Sequence, residues 1–280
     1  MAKRLVIFIL VCACGPAVSN RDGGHGTADA APPGLRIVPA NAELVVSGGV
    51  AATLAYTAIL SDGGADTDVT GETTFTVGNT ALGSFQGALF TSSTTVGGST
   101  EVTADARGEN ASTGVTVRIE QLVVDPSAPN DAPNRFGGPE DVARAPTLVY
   151  PDSGVLVPPN LNEMEFHYLT GPGNTLFELN FVGRALSLKI YFSCQPVGIG
   201  CVFTPDQNTW TIMAQAERAG VPLSYRLRAV DGNNPGNVGV SATQTIAFAE
   251  EDLVGGLYYW NAGLGVIRRY DFGRRGQAAE

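Results

Sequence analysis

Histidine and cysteine are scarce in this sequence, with two of the first (His25 and His167) and four of the second in 280 residues. No recognisable nucleophile or phosphate-cradling motif accompanies them, so there is little material for catalysis, and no enzyme activity, cofactor or metal is expected. Charge is thin as well, at 16% of residues against a typical ~25%. The 17 basic residues are outnumbered by 27 acidic ones, a net charge of −10. A nucleic-acid backbone would be repelled, and no nucleic-acid partner is expected. What is abundant is punctuation: Gly 35 and Pro 17 are about half again the usual share. The chain is therefore turn-rich, and it is long enough for two domains that each bury a core.

Lys3 and Arg4 precede an apolar run from Leu5 to Val11. That run is about a third of the ~20 residues that span a bilayer, so it reads as a signal peptide over 1–13 and not as a membrane helix. It ends Val11-Cys12-Ala13-Cys14, which resembles the bacterial lipoprotein lipobox. The resemblance implies that Cys14 becomes the lipidated first residue, because cleavage before Cys12 would put bulky Val11 at the −1 position. Residues 14–34, rich in Gly, Ala and Pro, show neither a strand nor a helix period and read as a flexible tether. Its reach is roughly 25 Å. His25 lies in it between glycines and reads as solvated. Loss of Lys3 and Arg4 takes the net charge from −10 to −12, which argues against a second, electrostatic membrane contact.

From residue 35 to 120 the pattern turns to short runs of period two. Leu54, Tyr56, Ala58 and Leu60 alternate with their neighbours, as do Val102, Ala104 and Ala106, then Val115, Val117 and Ile119. Gly and Asp clusters separate them, and this spacing suits a β-sandwich. The stretches Leu35 to Pro39, Leu54 to Gly63, Asp68-Val69-Thr70 and Gly98 to Ala104 resemble successive signatures of the bacterial Ig-like domain, group 2. Phe75 stands near where that family often has Trp. The resemblance covers about a third of the chain and implies a spacer or adhesion module without catalytic residues. Asp62, Asp66, Asp68 and Glu72 are weak Ca²⁺ candidates. Val77 stands where an EF-hand loop needs Glu, so an acidic interstrand loop is the plainer reading.

Residues 121–146 begin with the end of the first sandwich's last strand and then hold five prolines among Asn, Asp and Gly; they read as a linker partly stiffened by proline. A second sandwich is expected over 147–250. Met164, Phe166 and Tyr168 oppose Glu163, Glu165 and His167; Leu186, Leu188, Ile190 and Phe192 oppose Ser187, Lys189 and Tyr191. Leu223, Tyr225, Leu227 and Ala229 oppose Ser224, Arg226 and Arg228, with Trp210 as a core aromatic. Tyr225 to Asp231 resembles the penultimate strand of a fibronectin type III domain. His167 beside two glutamates reads as a solvated face. Cys194 and Cys201 enclose a loop with Pro and Gly, and outside the cytoplasm that spacing reads as a disulfide. Closing so short a loop is worth roughly 2.5 kcal/mol in the chain-entropy model.

Residues 251–280 hold two aromatic and β-branched runs, Leu257 to Asn261 and Val266 to Phe272, around a Gly turn. They form a hairpin that resembles the opening of a TolB-type β-propeller blade. Either it docks on the second sandwich or it begins a propeller that this chain does not contain. The expected fold class is all-β, two tandem immunoglobulin-like β-sandwiches after a signal peptide and a flexible tether. The expected function is a non-catalytic, lipid-anchored protein of the cell envelope, at the outer membrane or cell surface, serving as spacer, adhesion or protein-binding module. Its partners would be the membrane through the anchor and envelope proteins. The alternatives are a carbohydrate- or peptidoglycan-binding module recognising surface glycans, with Tyr191 as the candidate platform, and part of a propeller-bearing receptor or enzyme.

Overall fold

Period-two alternation becomes strand after strand in the computed structural model, which describes residues 33–161 and 164–274. The signal segment, Cys14, His25 and nearly all of the tether fall outside the described residues, as does Glu163. The first unit contains β1 (Gly34–Val38), β2 (Ala42–Ser47), β3 (Thr53–Ala55), β4 (Thr57–Ser61), β5 (Asp66–Asp68), β6 (Thr74–Val77), β7 (Gly83–Gln86), β8 (Leu89–Ser92), β9 (Gly98–Ala106) and β10 (Glu109–Val124). β1 pairs with β4, while β2 crosses to the facing sheet and runs parallel to β10. β3 and β4 flank Tyr56, whose N–H donates to the Ala88 carbonyl at 2.9 Å, so the two are one strand in effect.

The second unit repeats this plan with β11 (Thr147–Tyr150), β12 (Val155–Val157), β13 (Phe166–Leu169), β14 (Leu176–Val182), β15 (Leu186–Ser193), β16 (Gln195–Val197) and β17 (Gly200–Phe203). α1 (Gln207–Ala216), β18 (Leu223–Val230), β19 (Gly239–Val240) and β20 (Gln244–Phe248) complete it. β11 joins β13, β17 and β16 in one sheet, and β12 crosses over to run parallel to β20. Both units are thus all-β sandwiches of immunoglobulin-like plan. Tyr56, Phe75, Phe85 and Phe90 pack the first core; Phe166, Phe177, Phe181, Phe192 and Tyr225 pack the second. Each such side chain contributes roughly 1.5–3 kcal/mol.

α1 was not expected. Asp206 caps it by accepting from the N–H groups of Asn208 (2.8 Å) and Thr209 (3.1 Å). Trp210, Met213 and Ala214 recur at helical spacing and are buried. Trp210 is a core aromatic, but of this helix and not of a strand; its indole N–H donates to the Pro159 carbonyl at 2.8 Å.

The segment 121–146, expected as a linker, is structural throughout. Its first residues extend β10, which leaves the first sandwich and runs parallel to β15 of the second from Ile119 against Leu186 to Val124 against Tyr191. A ten-stranded sheet results, continuous through both units. Gly97 marks how closely they approach, since a Cβ there would lie 2.7 Å from the Ala185 carbonyl oxygen. Residues 125–146 then lie as a strap across the outer face of β14, β15 and β18. Ala128, Ala132 and Phe136 are buried there against Leu176, Tyr191, Val230 and Val238. The Asp125 N–H donates to Tyr191 O and the Asp141 N–H to Val238 O, both at 2.8 Å. Gly138 passes so near the Gly236 carbonyl that a Cβ would sit 1.7 Å from its oxygen. Proline and Asn gave this segment its turns, and the few apolar side chains between them gave it an inner face.

Glu217, at the end of α1, is buried at the same junction and accepts from the Ala185 N–H at 2.8 Å. Burial raises its carboxyl above the ordinary glutamate value, although backbone N–H groups pull the other way. The folded chain therefore binds this proton more tightly than the unfolded chain does. The group's contribution to stability is most favourable below the unfolded value and declines as pH rises through the raised one. Glu217→Gln keeps an acceptor oxygen without the charge. Relative to wild type, the variant should gain stability between pH 4 and pH 7 in urea titrations. A relative loss over that interval would contradict this assignment.

Candidate functional site

The strand register of the second sandwich builds a polar and aromatic patch on its outer side. Alternation along β13 sends Phe166 and Tyr168 into the core and turns His167 outward. β11 places Tyr150 directly opposite His167, and the two rings meet edge to face at 5.8 Å. Glu165 Oε2 lies 2.7 Å from His167 Nε2. Above this patch stands the C-terminal hairpin, β21 (Gly256–Asn261) and β22 (Val266–Asp271), paired in register from Gly256 against Asp271 to Asn261 against Val266.

The hairpin is fastened at its base. The Asn160 side chain donates to the Leu253 carbonyl (2.8 Å) and accepts from its N–H (3.0 Å). The Gly273 N–H donates to Asn160 O at 2.9 Å, and the Tyr270 hydroxyl donates to Leu161 O. Leu257, Tyr259 and Tyr270 then face the sandwich and close a cleft of about 840 Å³ over Tyr150, Glu165 and His167. Its walls offer flat aromatic faces, and its floor an imidazole, a carboxylate and the Thr204 side chain. Such a site holds a ligand that has apolar faces and hydrogen-bonding edges.

The other residues singled out in the sequence are dispersed. Cys194 and Cys201 are joined, with Cα atoms 5.4 Å apart, and tie the junction of β15 and β16 to β17. Tyr191 is no platform: the strap covers it, leaving it 2% exposed with its ring 5.4 Å from that of Phe136. The four acidic candidates of the first sandwich each serve the protein itself. Asp66 pairs with Arg36, and Glu72 with Arg107 at 2.7 Å. Asp62 accepts from the Gly64 and Ala65 N–H groups, and Asp68 from that of Thr70, each at 2.9 Å. These bonds hold all four carboxyls below their ordinary values. Among the described residues no group of three His, Cys, Asp or Glu side chains is placed to hold a metal ion. Nor is any helix among them long and apolar enough to cross a membrane.

One constellation had no motif to announce it. Glu178, 1% exposed, meets Arg228 Nη1 at 2.9 Å on the face of β14 and β18 beneath the strap. Arg228 also donates to the Phe136 carbonyl at 2.7 Å and lies 5.6 Å over the Phe136 ring. A lone Glu178 on β14, in register with Arg228, one of two arginines on β18, was its only trace in the sequence.

No protein-family model matches the chain, and no curated protein matches it. Solved structures similar to it include titin Ig tandem domains A164-A165 (10% identity, TM-score 0.23, covering 77% of this chain and 97% of that one). Murine CEACAM1b is another (10%, TM-score 0.23, 78% and 100%), as are domains 5-6 of the S-layer protein SbsC (12%, TM-score 0.22, 78% and 99%). TM-scores this low establish no shared overall arrangement.

Proposed function

We propose that the chain is a non-catalytic binding module of the cell envelope, tethered through a lipid on Cys14, whose ligand occupies the cleft beneath the hairpin. The observation that carries this reading is the meeting of Tyr150, Tyr259 and Tyr270 around the His167 and Glu165 pair. The two sandwiches, joined along β10, serve as the stem that presents it. A neutral oligosaccharide fits this chemistry best. Its rings offer C–H faces to the tyrosines and hydroxyls to the imidazole and carboxylate.

Calorimetric titration with soluble N-acetylglucosamine oligomers tests the reading. Tyr150→Ala and Tyr259→Ala should each weaken binding about tenfold, the loss of ~1.4 kcal/mol of stacking. Both side chains are exposed over nearly half their surface, so melting should hardly change. Equal affinity in both variants, or no binding by the wild type, would overturn the cleft as a saccharide site. The adhesion or spacer role would then rest on the stem alone, a reading favoured by the continuous ten-stranded sheet.

A further inference from the structure

One cation of the hairpin is left without an anion. Arg269 pairs with Asp271, and Arg274 lies 3.8 Å from the same carboxylate. Arg268 is placed differently. It stands directly across from Tyr259, so both project from the face of the hairpin that turns to the sandwich, where Tyr259 walls the cleft. Its Nε and Nη1 are buried, and among the described residues neither finds a hydrogen-bond acceptor. That leaves Nη2 as the nitrogen that meets solvent. A guanidinium carries donors only, and donors withdrawn from water without an acceptor are costly. The same withdrawal strengthens a bond made at the nitrogen still open. Such a group beside a binding cleft points to an acceptor carried by the ligand.

Glu165 and Arg268 bring one charge of each sign to this region, a balance that suits a neutral ligand. The hydroxyls of a neutral sugar can donate to Glu165 and His167, which leaves Arg268 in want of a group that only accepts. Ring and glycosidic oxygens are weak acceptors, whereas the carbonyl of an acylated amino group is a strong one. We propose, on the saccharide reading of the cleft on which this assignment rests, that Arg268 Nη2 donates to the acetamido carbonyl oxygen of an N-acetylated sugar bound beneath the hairpin. Arg268 is then the residue that sets specificity. Tyr150 and Tyr259 hold the ring, which acetylated and unsubstituted sugars share, and Arg268 reads the substituent.

Tetramers of N-acetylglucosamine and of glucose in the same β linkage differ in the substituent and share the ring. Calorimetric titration of the full chain should show the acetylated tetramer bound about ten- to a hundredfold more tightly, as expected for a hydrogen bond from a charged donor. Arg268→Met keeps an apolar stem and removes every donor. It should bring the acetylated tetramer down to the affinity of the glucose tetramer and leave the latter unchanged. Arg268→Lys, which keeps charge and donors, should retain part of the preference. Because Arg268 makes no hydrogen bond or ion pair among the described residues, neither variant should melt below wild type. A preference that survives Arg268→Met would overturn the assignment. So would its loss together with a lower melting temperature, which would give Arg268 a part in holding the hairpin instead. Equal binding of the two tetramers by wild type, with Tyr150→Ala weakening both, would overturn it as well and leave the cleft a saccharide site. Binding of neither would remove the saccharide reading and this assignment with it.

Discussion

Arg228→Met should destabilise the protein by about 3–5 kcal/mol, because it strands Glu178 as a buried charge. In the native chain this guanidinium pairs with Glu178, donates to the Phe136 carbonyl and rests on the Phe136 ring. Methionine fills much of the volume and restores none of these bonds. For a protein of this size the loss corresponds to roughly 6–20 °C in melting temperature. Removing the stranded charge as well, in Glu178→Gln combined with Arg228→Met, should recover most of it, since replacing both members of a buried pair costs far less than breaking one. A single variant within 1 kcal/mol of wild type would show that the strap leaves this pair hydrated. Scanning calorimetry of the three proteins decides the matter.

How legible this architecture is in the sequence depends on the range of the contact involved. Strands that alternate along their own length, such as Val102, Ala104 and Ala106 in β9 or Leu223, Tyr225 and Leu227 in β18, bury the expected face. The hairpin around Gly265 and the Cys194–Cys201 link are equally local. Tyr191 misleads because one strand's period shows which faces exist, not what covers them. Its outward face is sealed by Phe136, the sole aromatic of a segment whose prolines made it read as a spacer. α1 hides because it is short: Trp210, Met213 and Ala214, whose spacing suits a helix and not a strand, span little more than one turn, and Asp206 as its cap was the other available signal. The cleft is the least legible part. Tyr150, His167 and Tyr259 come from three separate strands, and their meeting depends on how Asn160 and Leu161 fasten the hairpin.

The aromatic residues of the last two strands are exposed at a density that neither sandwich shows elsewhere.

The stem stands or falls on β10. Were 121–146 a linker in the physical sense, the two sandwiches would move independently and the cleft would swing on a loose hinge. In the structure the Ile119 N–H donates to Ala185 O at 2.9 Å and the Asp125 N–H to Tyr191 O at 2.8 Å, one at each end of the parallel pairing with β15. Neither amide can exchange with solvent until the sandwiches part. Because the apolar core runs unbroken through both units, parting should require unfolding of at least one of them. Native-state hydrogen exchange of the intact protein, read at these two amides by NMR, is the most direct test. Protection of about 10⁴-fold or more, matching that of β14, is the expected result. Protection below about tenfold at Ile119 and Asp125, with β14 still slow, would contradict the fused stem.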